Sequence, residues 1–201
     1  MTGTALRPLR EEPRRGWPNA VHGEVLKLVT LPALWITVGL TWAVTLLVRV
    51  VGPAGSAMAF GQMGVLVLGA LAATHEHQGG GQFRTTLLAV PRRPVLAVAR
   101  AVALAVTAAP VALVVAGTAG EPGGAGFLVL DALLAAGVGT IVRYPVGTVA
   151  VLLTAYWMVL PMVRGRFADL APWLPEHDAA APAWTAVILL AAAVVLVRRE
   201  A

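Results

Sequence analysis

The side chains that could do chemistry in this sequence are few and scattered. His75 and His77 flank Glu76, an arrangement that raises the question of a metal site. Residues two apart on a helix point away from each other, and no carboxylate–histidine cluster surrounds the pair, so no metal is expected. Gly79–Gly81 form a triple glycine, but a phosphate-cradling loop also needs Gly-Lys-Ser/Thr. The single lysine, Lys27, stands in Glu-Val-Leu-Lys-Leu-Val, so the glycines read as a hinge. The absence of cysteine excludes disulfides, thiolate catalysis and cysteine-ligated metals. What remains is Asp131 and Gln62, each inside an apolar run, and Glu24 with Lys27 ahead of the first run. An acid within a lipid-embedded segment is costly and often lines a pathway. Asp131 lies five residues after Gly126, where its run begins, so it is expected near the outer end of that run, close to water. A pathway-lining role, shared with Gln62, is the alternative. No catalytic group and no cofactor site emerges, so the chain is not expected to be an enzyme.

The elements that carry these residues are set by apolar content. Of 201 residues 58% are hydrophobic and only 12% charged, about half the charge of a typical soluble domain. The apolar residues come in runs long enough to cross a bilayer, which takes about 20 residues. Six runs qualify: 28–48, 57–74, 95–117, 126–142, 145–163 and 179–197. The fourth is the shortest and is interrupted by Asp131; without it the C-terminus would change sides. The fold class expected is all-α and polytopic, with about six transmembrane helices. Residues 1–16 are polar and proline-containing and read as a disordered tail, with no apolar signal core. From Trp17, Pro18 is followed by Val21, Val25 and Leu28 at steps of about four, with Glu24 and Lys27 between them. That spacing predicts a short amphipathic helix along the membrane face, an elbow before the first span, with Trp17 at the interface.

The net charge of +5 could suggest nucleic acid. Six spans with both termini cytoplasmic place twelve basic residues inside and only Arg49, Arg164 and Arg166 outside. The positive-inside rule explains such a bias, so no nucleic-acid partner is expected.

The loop between the second and third runs is the most distinctive stretch. After the glycines, Gln82–Val90 can form about two helical turns with Phe83, Leu87 and Val90 on one face. Pro91 ends that helix, and Pro94 restarts the chain after Arg92 and Arg93. Glu76, then Gly81-Gln-Phe-Arg-Thr-Thr-Leu87, then Pro91-Arg-Arg93, then a basic residue at Arg100 resembles the type-2 ATP-binding-cassette (ABC) exporter permeases of bacteria. Glu24-Val-Leu-Lys27 with Trp35 resembles that family's elbow. Arg143-Tyr-Pro-Val-Gly147 resembles its turn between spans four and five, and Trp173-Leu-Pro175, Pro182-Ala-Trp184 and Arg198-Arg-Glu-Ala201 resemble its closing pattern. The likeness runs over residues 20–201. Gln82 and Phe83 depart from the Thr and Ile usual there, and Arg100 from the usual Lys.

The resemblance implies a plasma-membrane permease subunit without its own motor, as the missing phosphate loop does independently. It implies a separate ATPase partner and a second permease copy or paralogue. It also implies a short cytoplasmic coupling helix in which Glu76, Arg84, Thr85, Leu87, Pro91 and Arg92 engage the ATPase. Arg84, Arg92 and Arg93 equally suit anchors for lipid phosphate that fix orientation. The cargo class implied is a drug-, antibiotic- or lipid-like molecule. The rival reading is a membrane protein that transports nothing, an assembly or immunity factor of the same fold. A passive channel would need polar residues at helical spacing along several spans, and beyond Gln62, Asp131 and a few threonines the runs show little of that.

Overall fold

The computed structural model describes residues 17–53, 55–78, 93–175 and 180–199. The tail 1–16 and the whole of the expected coupling helix therefore lie outside the described residues, which contain helices and no strand. In chain order, α1 is Trp17–Val29, α2 Pro32–Val51, α3 Ser56–Gln78, α4 Arg93–Ala119 and α5 Ala125–Val142. The sixth helix, α6, runs Pro145–Arg166 with a π-helical turn at Ala155–Val159, and α7 is Ala181–Arg199. Short 3-10 turns at Pro122–Gly124 and Ala168–Trp173 follow α4 and α6.

Five of these helices, α2 to α6, are long and apolar enough to cross a membrane; α7 has a shorter apolar stretch, Ala181–Leu196. The fourth run, the least secure from sequence, extends through its leading 3-10 turn to Pro122–Val142, 21 residues or about 31 Å at 1.5 Å per residue. The first run is corrected at its start. Leu28 belongs to the elbow, and the helix breaks at Thr30–Leu31 before Pro32 opens α2. Proline at the first helical position is well placed because its missing N–H would have had no intrahelical partner.

The bundle is built around α5, which packs on α3, α4, α6 and α7. Small residues make this possible. Ala108, Ala112 and Ala116 of α4 meet Ala125, Leu128 and Ala132 of α5 in one buried cluster with Val65 of α3. A Cβ on Gly69 would run into the backbone carbonyl of Ala132, so α3 and α5 touch main chain to main chain. Where water is absent, close van der Waals contact replaces the hydrophobic effect as the force between helices.

The helix α2 shows the inversion expected in lipid. Its large side chains, among them Trp35, Ile36, Leu40 and Val50, face outward, while Thr41 and Thr45 are buried. Each buried hydroxyl donates to the carbonyl four residues back, at 2.7 Å in both cases, so no polar group is stranded. These threonines fill the spaces over Gly64 and Gly61 of α3.

Two helix ends are capped in the left-handed region. Gly120 (φ 87°) ends α4, and the N–H of Glu121 reaches back to the carbonyl of Ala116 at 2.9 Å. Arg143 (φ 62°) ends α5 and donates its N–H to Gly139. A side chain there costs about 1–2 kcal/mol, and Pro145 two residues on prevents the helix from continuing.

Candidate functional site: a membrane-embedded acid and an anchored elbow

Asp131 is 1% exposed. It stands six residues from the start of α5, but the expectation that it lies close to water is corrected, because the side chain is enclosed by protein. The physical reason is packing on every side: α5 is the central helix, and six residues from its start the side chain is already enclosed by α3 and α6. Donors from two neighbouring helices meet the carboxylate. Gln62 of α3 donates from Nε2 to Oδ2 at 2.9 Å, and the hydroxyl of Tyr156 on α6 donates to Oδ1 at 2.8 Å. The two in-span polar residues singled out by sequence therefore belong to one cluster joining three helices. Burying a carboxylate without such donors would be prohibitive.

Tyr156 was not foreseen. It reaches Asp131 from the π-helical turn, where the N–H of Leu160 bonds the carbonyl of Ala155, five residues back. Pro161 explains the irregularity. It has no N–H to offer the carbonyl of Trp157, and its ring crowds that carbonyl in a regular helix. The signal available in sequence was a proline inside an apolar run with one of the chain's two tyrosines just ahead of it. Trp157, next on the bulge, lies edge-on to Phe60 of α3, with ring centroids 5.6 Å apart and planes at 82°.

At the opposite end, the elbow α1 lies on α4, with Leu28 in a cluster with Leu68, Ala103 and Leu104, and Val21 and Val25 packed against it. The amphipathic spacing is thus realised, but Glu24 turns inward and is buried. Lys27 donates from Nζ to Glu24 Oε1 at 2.8 Å, and Arg100 Nε of α4 stands 3.8 Å from Oε2. Trp35 closes the joint by donating from Nε1 to the carbonyl of Val29 at 2.7 Å, across the break between elbow and span. That bond satisfies a carbonyl at the end of α1 that has no helical partner.

Glu24, Lys27, Arg100, His75 and Thr140 line a cleft of about 100 Å³ together with Leu104, Leu133, Leu189 and Leu196. The His75 ring nitrogen Nδ1 lies 2.9 Å from the carbonyl of Ala72. Of the expected coupling residues, Glu76 falls within α3 with its side chain undescribed, and Arg84, Thr85, Leu87, Pro91 and Arg92 lie outside the described residues. The chain matches no family model, no curated protein and no solved structure.

Proposed function

We propose that this chain is the membrane-spanning permease subunit of a bacterial ABC-type exporter. It would work in the plasma membrane with both termini cytoplasmic, paired with a second permease chain and driven by ATP hydrolysis on a separate ATPase. The observation that carries the reading is the Glu24 joint. Arg100 stands seven residues after Arg93, so the helix that continues directly from the central loop is tied through Arg100 and Glu24 to the elbow. A push delivered to residues 79–92 by a partner would reach α4 and the elbow together. That is the mechanical connection a motorless permease needs, and the order of motifs along the chain supports the same reading.

The residues assigned to coupling are Glu76, Arg84, Thr85, Leu87, Pro91 and Arg92, by resemblance. Glu24 and Lys27 hold the elbow. The cargo would be a drug-, antibiotic- or lipid-like molecule, the class suited to leaving through an apolar bundle. The Asp131 cluster argues against a passive channel, because its polar groups are spent on one another across a packed interface.

The test is affinity purification of the full chain from detergent-solubilised membranes, followed by ATPase assay. A copurifying ATPase is expected, with hydrolysis falling severalfold in Arg84→Glu or Glu76→Arg. If no ATPase accompanies the chain and neither variant changes a phenotype, the non-transporting membrane protein is the better reading.

A further inference from the structure

Beside the elbow, residues of α1, α2 and α4 line a groove of about 560 Å³, with Leu68 of α3 behind them. Its one hydroxyl, on Thr107, is spent on the carbonyls of Ala103 and Leu104, at 2.9 and 3.1 Å. Leu28, Leu68, Leu104 and Val115 are its buried lining, while Trp42, Val106 and Val114 are exposed along it. Those exposed residues stand on α2 and α4, helices long enough to span, so lipid is what they meet. Gly39 keeps the space open: it lines the groove, and a Cβ there would meet nothing within 4 Å.

The dimensions select an occupant. From Leu104 to Val115 the groove follows α4 for about 16 Å at 1.5 Å per residue, about half the hydrocarbon core, or one leaflet. Its volume over that length corresponds to a cross-section of about 35 Å², too narrow for a helix about 10–12 Å across. An extended hydrocarbon chain is slimmer. The groove starts at the elbow, where Val25 and Leu28 line it, and the elbow is the interfacial element.

Charge sits at that same end. Lys27 precedes Leu28, and Arg100 stands one helical turn before Leu104. Among the described residues these two cations and Glu24 are the charges of the joint, so cations are in excess. The Lys27 side chain is 38% exposed, and an ammonium with three donors can hold Glu24 and a phosphate oxygen together. Such cations at the cytoplasmic face attract anionic lipid.

We propose that the groove is the site of one resident anionic glycerophospholipid. One acyl chain lies between α2 and α4 over Gly39, and the phosphate sits at the elbow beside Lys27. A lipid tail gains no hydrophobic free energy by leaving its bilayer for the groove, because the two are equally apolar. Retention therefore comes from close contact along the groove and from the headgroup charge. The lipid is a fixed component and not cargo, and the inference does not depend on the exporter reading.

The test uses the full chain reconstituted in vesicles of equal phosphatidylcholine and phosphatidylglycerol, re-extracted in a mild detergent and weighed by native mass spectrometry. One retained lipid per chain is expected, with phosphatidylglycerol favoured at least threefold. Gly39→Phe, which fills the groove, should lower retention at least fivefold, and Gly39→Leu should lower it less. Ile36→Phe, at an exposed position of α2 outside the groove, should leave it unchanged. Lys27→Gln should bring the headgroup preference toward one while a lipid is still retained. Thermal unfolding of each variant identifies any that has not folded, and Gly39→Leu, the smaller change, stands in if Gly39→Phe is among them. Retention that both Gly39 variants leave intact, or that Ile36→Phe lowers equally, overturns the proposal. A headgroup preference unchanged in Lys27→Gln overturns the placement of the phosphate. A dimer that retains no lipid and that Gly39→Phe splits would make the groove a contact between two copies, and would overturn the proposal as well.

Discussion

Asp131 is the residue whose surroundings matter most. Replacing it with Leu removes the acceptor shared by the Gln62 amide and the buried Tyr156 hydroxyl, and each such lost bond costs about 1–3 kcal/mol. Asp131→Asn keeps one acceptor oxygen and should lose clearly less. Thermal unfolding in detergent micelles ranks the two; equal losses would mean the hydrogen bonds contribute little. The glycines offer a second comparison. Gly69→Ala forces a methyl group onto the Ala132 carbonyl and should destabilise by about 1–3 kcal/mol, since backbone cannot step aside as a side chain can. Gly23→Ala on the exposed face of α1 meets nothing within 4 Å and should gain about 0.5–1 kcal/mol from helix propensity. Both residues are simply glycine in a helical run, and only the neighbour across the interface separates them.

The joint between α1, α2 and α4 acts at the level of whole elements. Its polar members are Glu24, Lys27 and Arg100, and the Trp35 bond to Val29 bridges the break at Thr30–Leu31. Hydrogen bonds to charged groups are worth about 1.5–3 kcal/mol, so Glu24→Gln should speed amide exchange in 17–29 about tenfold while α3 and α5 keep their protection. Lys27 is partly solvated and its share of the pair is screened, so Lys27→Gln should have the smaller effect. Hydrogen–deuterium exchange in nanodiscs reads both. An elbow that exchanges no faster in Glu24→Gln would be held by Val21, Val25 and Leu28 alone. The amphipathic helix was legible from those three residues, but the inward turn of Glu24 was not. It depends on Arg100, 76 residues away, arriving beside it.

For the molecule as a whole, the central position of α5 organises the bundle. Read along the chain, its run is short, carries an acid and has glycines, all of which weaken it as a span. In the bundle the same features are what a central helix requires: Gly137 and Gly139 admit Ile188 and Ala73 closely, and Asp131 ties α3 to α6. If α7, which lies alongside α5, crosses as the sixth span, the two termini fall on one side. A topology reporter fused after Ala201 should therefore report the same compartment as one fused ahead of Met1, the cytoplasm under the exporter reading. Opposite compartments would remove the six-helix organisation.

Sequence alone determined the solvent and the class of fold, because membrane spans are written in local composition: runs of about 20 apolar residues, broken by charge and proline, need no knowledge of neighbours. It also excluded a nucleotide loop and cysteine chemistry by counting single residues. The boundaries at Pro32 and Pro145 follow from proline's missing N–H and were close to legible. Tertiary structure alone decided that Asp131 is enclosed, that Gln62 and Tyr156 converge on it, and that Glu24 faces Arg100. Each of these depends on which faces of separate helices meet. In lipid all faces are similarly apolar, so periodicity carries little information about which one turns inward. Shape, through glycine, alanine and the reach of a few polar side chains, makes that choice instead.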